Sequence, residues 1–325
     1  MSHVVSSEHN GSGNELAIQK TLSRERWHRA KRMKLLYVFF LVPFVAFFVF
    51  HYMPMYGLLI AFKQYRVIDG ILGSPWNNFH HFEMLFSNTY FGRILRNTII
   101  ISVYRIVFGF PAPILLALLI NELRNATFKR ITQSISYLPH FFSWVVLASI
   151  MIEILSPQRG IVGYLYTLFG AEPPNMLTST TYFRPILVIS DIFKEVGWST
   201  VVYLAAISTI DPGLYESASI DGASRLKQAR FITLPSLLPI ISILLLLRVG
   251  YIMNAGFDQI FNLYNPIVYE VADIIDTYVY RVGIIERRFD FSTAVGLFKN
   301  VIGVILLIGA NLVIKKFGEG EYAVW

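Results

Sequence analysis

The chain has 325 residues, 54% of them hydrophobic and only 15% charged, with a mean hydropathy of +0.52. That excludes an ordinary soluble domain, whose helices keep a polar face toward water, and points to a polytopic membrane protein. The formal charge of +7 sits in short basic clusters beside apolar runs, which argues for membrane topology rather than nucleic acid, and the absence of cysteine excludes disulfides, thiolate metal sites and a cysteine nucleophile.

Residues 1–19 are polar, rich in Ser, Gly and Asn, and show no apolar periodicity, so no ordered structure is expected there. Lys20, Arg24, Arg26, Arg29, Lys31, Arg32 and Lys34 then precede the first apolar run. Residues 1–34 thus read as a cytoplasmic basic tail that fixes the N-terminus inside, with lipid or nucleic-acid binding as the lesser alternatives. The apolar run that follows is too long for a signal peptide and lacks a small-residue cleavage site.

Residues 35–62 form the first expected span, bent by Pro43, Pro54 and Gly57. In the outer loop, Asn78 is positioned to cap a short interfacial helix carrying Phe79, Phe82, Leu85 and Phe86. His80, His81 and Glu83 lack further ligands at metal-binding spacing. A second span over about 94–120 contains Arg96 and Arg105. Arg124, Lys129 and Arg130 mark the cytoplasmic turn after it. The third, about 131–155, carries Pro139, Phe141, Phe142 and Trp144. Pro157, Gly160, Pro173 and Pro174 break the chain before a fourth span at about 185–207, which holds Asp191, Lys194 and Glu195. A fifth, about 236–256, contains Arg248 and Asn254. Residues 257–291 read as an outer loop of mixed charge, in which Arg281, Arg287 and Arg288 strain the charge rule. The sixth span covers about 292–314, and Lys315 and Lys316 begin a cytoplasmic tail over 315–325. The expectation is an all-α protein with a six-helix transmembrane domain over residues 35–314 and both termini in the cytoplasm.

The most patterned polar stretch, residues 211–235, lies between the fourth and fifth spans and must face the cytoplasm in this topology. Asp211 followed by Pro212 is a helix start, with an oxygen acceptor at the cap and a preset φ after it. A short helix over 214–220 would end at Gly222, which reaches conformations other residues resist. A second helix over 223–233, with Leu226, Phe231 and Ile232 apolar, would be closed by Pro235. Read from the residues alone, such a corner fits a rigid docking knob and a plain hairpin covering span ends equally well.

The stretch GLYESASIDGASRLKQARFITLP resembles the EAA motif of binding-protein-dependent ABC importer permeases, with Ser217 where the first alanine usually stands. FKEVGWSTVVYLAAIS, LPHFFSWVV, FDQIFNLYNPIVYEVADIIDTYVYRVG and STAVGLFKNVIG resemble the branch that imports sugars and polysaccharides, within it the complex-polysaccharide permeases that include alginate importers. The resemblance covers nearly all the chain after its tail. It implies a permease in the cytoplasmic membrane, paired with a second permease, two cytoplasmic ATPase subunits that hold ATP and Mg, and an extracytoplasmic solute-binding protein. Glu216, Ala218, Asp221, Gly222 and Ala223 would form the corner that docks on the ATPase, supported from behind by Leu226 and Phe231. No GxxxxGK[ST] loop, GxSxG elbow or HExxH helix occurs in the chain, so no cofactor and no catalytic residue is expected here.

Charged groups inside spans cost a few kcal/mol each and usually face a cavity or a partner. Arg105, Asp191, Lys194, Glu195 and Arg248, with Asn254 and the potential sugar-stacking Trp198, are therefore candidates for the substrate path. Internal pairing or snorkelling is the alternative for each. Three cations among them would suit an anionic glycan such as a uronate oligomer. A permease for a non-sugar solute, a membrane enzyme or a channel are the competing readings.

Overall fold

The computed structural model describes residues 33–317. The N-terminal basic cluster up to Arg32 and the tail beyond Phe317 lie outside the described residues. The described chain divides into two compact units that part between Leu59 and Ile60. Among the described residues the structure is helical, with a single isolated β-bridge between Lys63 and Trp76.

The helices are α1 (Lys34–Phe62), α2 (His80–Ser87), α3 (Thr89–Asn121), α4 (Ala126–Phe141), α5 (Trp144–Ile154), α6 (Ile161–Leu168) and α7 (Thr180–Ile207). After them come α8 (Pro212–Ile220), α9 (Arg225–Gly250), α10 (Phe257–Leu263), α11 (Ile275–Tyr280) and α12 (Phe289–Phe317). Four of these, α1, α3, α9 and α12, are long and apolar enough to cross a bilayer. The third expected span is not one rod. It is the pair α4 and α5, bent by 102° at a short break, and would be a fifth crossing if counted as one. The fourth expected span, α7, is 28 residues long, but Arg184, Asp191, Lys194 and Glu195 make it too polar for an ordinary apolar span.

Proline explains where the long helices deform. Its ring removes one N–H and crowds the carbonyl four residues back, and a wider preceding turn relieves both. Such π-type turns lie at Phe48–Tyr52 before Pro54, at Arg105–Gly109 before Pro111, and at Ala229–Thr233 before Pro235. Pro235 therefore does not close the second corner helix, as the sequence suggested. The helix runs on through it into the membrane-length segment, because the π turn absorbs the defect.

Within the second unit α7 is the central element. Its buried residues Phe183, Leu187, Ser190, Lys194, Gly197, Thr200, Tyr203 and Ile207 recur every three or four positions and form one stripe. Gly197 lets α4 cross closely, since a Cβ there would lie 1.9 Å from the Ser136 carbonyl oxygen. One cluster joins Ile101, Ala148, Phe183, Leu187, Ala255, Ile260 and Ile274. A second gathers Leu85, Phe91, Ile94, Met253, Ile275, Tyr278, Phe291 and Val295.

Residues 257–291, expected to be an outer loop, supply much of both clusters. The segment folds into α10, α11 and short turns packed among the long helices. Its backbone is tied there by side chains from the spans. Asn97 donates to the carbonyls of Glu270 (3.0 Å) and Asp273 (3.1 Å), and Arg184 donates to Asn97 (2.8 Å) and to the Val271 carbonyl (3.1 Å). The strained charge rule at Arg281 has the same cause: Arg281 is folded against buried Asp273 at 2.6 Å, not free in a loop.

Candidate translocation cavity and coupling corner

The intramembrane charges come together around α7. The carboxylate of Asp191 lies between two arginines, 3.7 Å from Arg105 and 3.5 Å from Arg248. Arg105 is buried and also donates to Gln259, whose amide donates in turn to the Leu187 carbonyl (2.8 Å) and to Ser190 (2.7 Å). Space for the guanidinium comes from Gly256, which sits at φ +89° and where a Cβ would fall 2.3 Å from a guanidinium nitrogen. Arg248 differs in being about half exposed, 46% at its side chain.

One and two turns further along the helix, Glu195 accepts from His140 at 2.8 Å and pairs with Lys194 at 3.5 Å. Lys194 also donates to the His140 carbonyl at 2.5 Å, where a cation favourably meets the end of α4. The His140 ring lies flat on Trp198, with centroids 4.8 Å apart and planes within 4°. Asn254 and Asp276 both accept from Lys299, an α12 residue.

Asp191, Glu195, Trp198 and Arg248 line one cavity of about 260 Å³, with Phe110 and Tyr203 among its walls. Arg248 also borders a second recess of about 160 Å³ that includes Arg105 and Asn254. Lys194 lines a third, of about 330 Å³, at the α4/α5 break beside Ser143 and Asp258. A helix broken beside a polar cavity is the arrangement that membrane transporters use to expose backbone groups to solute. All seven path candidates thus border one of three recesses, and each charged candidate is also internally paired. Sequence reasoning missed His140, Gln259, Arg184 and Lys299, whose partners lie far away in the chain.

Between α9 and α12, Asp273 accepts from Tyr90 (2.6 Å), Thr277 (2.7 Å) and Arg281 (2.6 Å). Burial opposes the Arg281 charge, but the Asp273 carboxylate outweighs it and holds the guanidinium pKa above its ordinary value. Burial, assisted by Tyr269, pushes the Tyr264 phenol up to about 12.

The second feature is the corner joining α8 to α9. The Asp211 side chain caps α8 by accepting from the Gly213 amide at 2.9 Å, with Pro212 at the first position. The helix ends in a Schellman arrangement: Ala223 N–H donates to the Ala218 carbonyl, Gly222 N–H to that of Ser219, and Gly222 sits at φ +74°. Gln228 donates back to Ser219 (2.9 Å) and to the Ala223 carbonyl (3.2 Å), and the Tyr215 and Thr233 hydroxyls meet at 2.9 Å. Leu226 and Phe231, expected to brace the corner from behind, are instead 79% and 68% exposed. Polar contacts brace it, and Ile220, Leu226 and Phe231 join Glu216 and Asp221 on its outer surface.

Asn78 is not the cap of α2. It adopts φ +51°, and the helix begins after Phe79 without a side-chain cap. Of that helix, Leu85 is buried while Phe79 and Phe86 are exposed. His80 pairs with Glu83 at the surface (3.6 Å), and His81 is buried beside Asp290 (3.5 Å). Among the described residues no group of three His, Cys, Asp or Glu could hold a metal ion.

The chain is 44% identical over 288 residues to the polygalacturonan/rhamnogalacturonan transport system permease protein YteP of Bacillus subtilis (strain 168), covering 89% of this chain and 90% of that protein. It is 43% identical over 289 residues to Protein LplB of the same organism, covering 89% and 91%. Among solved structures it is similar to a bacterial ABC transporter involved in the import of the acidic polysaccharide alginate, with 42% identity and a TM-score of 0.82 over 90% of this chain and 99% of that one. The same holds for a bacterial alginate ABC transporter in complex with an alginate pentasaccharide-bound periplasmic protein, at 41% identity and a TM-score of 0.83 over 92% and 99%. Residues 109–317 match the model of the binding-protein-dependent transport system inner membrane component, and the chain belongs to that family.

Proposed function

We propose that this chain is the membrane permease subunit of an ATP-binding-cassette importer for an acidic oligo- or polysaccharide. It works with a second permease, two ATPase subunits that bind ATP and Mg, and an extracytoplasmic solute-binding protein. Both termini and the α8/α9 corner face the cytoplasm, as the Lys and Arg distribution favours. The similarity to a solved alginate importer and to a polygalacturonan permease supports a saccharide substrate.

The observation that carries the acidic preference is the sharing of Asp191. Around that carboxylate three cations, Arg105, Arg248 and Lys194, stand against two carboxylates, Asp191 and Glu195, and the half-exposed Arg248 presents the positive charge to the cavity. A guanidinium fork suits a uronate carboxylate in charge and geometry. Trp198, half-exposed and already covered by the His140 ring, supplies an aromatic face of the kind on which a sugar ring stacks.

At the corner, acidic Glu216 and Asp221 stand beside exposed Ile220, Leu226 and Phe231 on a hydrogen-bonded turn. An exposed apolar patch with a polar rim is the signature of a protein docking site. ATP binding by the ATPases would move this corner, and α9, continuous with it, would carry the movement into the membrane and toward Arg248. Measuring ATP hydrolysis by the reconstituted complex with acidic and with neutral oligosaccharides tests the substrate class. Stimulation by acidic oligomers is expected; stimulation by neutral sugars alone overturns it.

A further inference from the structure

Two charges beside the corner sit at the wrong ends of their helices. Glu122 follows the last residue of α3, where the helix presents its negative pole and repels a carboxylate. Arg225 is the first residue of α9, at the positive pole, which repels a guanidinium. Each charge alone works against its own helix. They meet at 2.8 Å across 103 positions of the chain, Arg225 donating to Glu122, and that contact accounts for both placements. The two side chains are 38% and 55% exposed, so the pair adds little to stability. What it does is mechanical, tying the corner to α3.

Arg225 lies on the corner side of the π turn at Ala229–Thr233. Such a turn is where a helix bends, so movement passed along α9 alone must cross a joint before it reaches the membrane segment. The Glu122–Arg225 pair leaves the corner ahead of that joint and enters α3 directly. From Glu122 the chain runs back through Pro111–Asn121, an uninterrupted α segment. Its Ile114 and Ala117 are buried against Tyr203 and Ile207 of α7, and Thr200 of α7 donates to the Pro113 carbonyl (3.2 Å). This segment and the C-terminal half of α7 therefore move as one body. Among the described residues, none from 211 to 228 belongs to that apolar cluster, and a recess of about 560 Å³ walled by Lys129, Tyr215 and Gln228 opens beside the pair. The corner thus has room to shift where packing does not hold it. At the far end of the segment lies the π turn Arg105–Gly109, which carries the guanidinium that meets Asp191.

We propose that Glu122 and Arg225 are positioning residues for transport: the pair clamps the corner to α3, so that corner movement driven by the ATPases reaches Arg105 through Pro111–Asn121 as well as Arg248 through α9. This rests on the importer role above. Because the chain contains no cysteine, single introduced thiols report on each end of the route. Ser219→Cys reads the exposed corner, and Ile106→Cys, half-buried on the wall of the recess that includes Arg105, reads α3. In the assembled transporter, the rate of maleimide labelling at both positions changes on ATP binding. Glu122→Gln or Arg225→Gln abolishes the change at residue 106 and keeps that at residue 219. Glu122→Arg together with Arg225→Glu restores it, because the exchanged pair spans the same gap and agrees with both helix poles. A response at residue 106 that survives in the single variants, or is absent from the otherwise wild-type chain, overturns the clamp. Failure of the exchanged pair to restore the response also overturns it. So does loss of the response at residue 219 in Arg225→Gln, which makes Arg225 a contact of the ATPase. Absence of any ATP response at residue 219 in the otherwise wild-type chain sinks the importer reading as well.

Discussion

Replacing Gly256 by alanine strikes the Arg105–Asp191 pair without touching either residue. At φ +89° an alanine is strained by about 1–2 kcal/mol. Its Cβ would also lie 2.3, 2.5 and 2.7 Å from three atoms of the Arg105 guanidinium. The side chain can move away only by leaving Asp191 and Gln259, and hydrogen bonds to charged groups are worth about 1.5–3 kcal/mol. Asp191 keeps Arg248, so the loss stays below that of a fully orphaned buried charge. The expected cost of Gly256→Ala is about 3–5 kcal/mol, read by denaturant unfolding in detergent. In an Arg105→Leu background the clash is gone and only the backbone strain of about 1–2 kcal/mol remains, a coupling of about 2–3 kcal/mol in a double-mutant cycle. Equal costs in the two backgrounds would refute the steric link between Gly256 and Arg105.

Arg248→Gln should raise the KM for acidic oligosaccharide uptake about tenfold, the effect of losing one charge-assisted contact, while leaving folding intact because the side chain is half exposed; an unchanged KM takes Arg248 out of the path. Glu216→Lys, at an exposed position, should unfold within about 1 kcal/mol of wild type, and Gly222→Asp should cost only the backbone strain of about 1–2 kcal/mol at φ +74°, since no atom lies within 4 Å of a Cβ there; both should insert yet lose uptake. Normal uptake by either variant contradicts coupling through the corner. Gly197→Leu drives a side chain into the Ser136 backbone and should cost more than about 3 kcal/mol, with a change in Trp198 fluorescence as the His140 stack opens. Wild-type stability and emission would show that the α4/α7 crossing is not held at Gly197.

Local chemistry made parts of this structure legible. Asp211 and Pro212 announce a helix start and Gly222 a left-handed stop, and the structure has both within a residue or two of where they were expected. What failed needs distant partners. Pro235 looks like a terminator until the π turn before it is seen, and only tertiary packing selects that turn. Residues 257–291 look like a loop because Asp273, Asp276 and Arg281 look solvated, whereas Arg281 and Asp273 satisfy each other and Lys299 reaches Asp276 from α12. A strained charge rule at Arg281 was the available hint. Leu226 and Phe231, expected to support the corner from behind, are exposed in this chain. The path candidates stand out in the sequence because a charge inside an apolar run is conspicuous. His140 was passed over because one histidine beside Pro139 is not.

The most direct measurement uses Ser219→Cys, an exposed α8 position at the corner, in the otherwise cysteine-free chain. In the assembled transporter this thiol should resist an impermeant maleimide added from outside intact cells, react once the cytoplasmic face is opened, and cross-link to a cysteine in the ATPase subunit with a yield that changes on ATP binding. Labelling from outside, or absence of any cross-link in a complex that transports, would contradict a cytoplasmic corner driven by the ATPase.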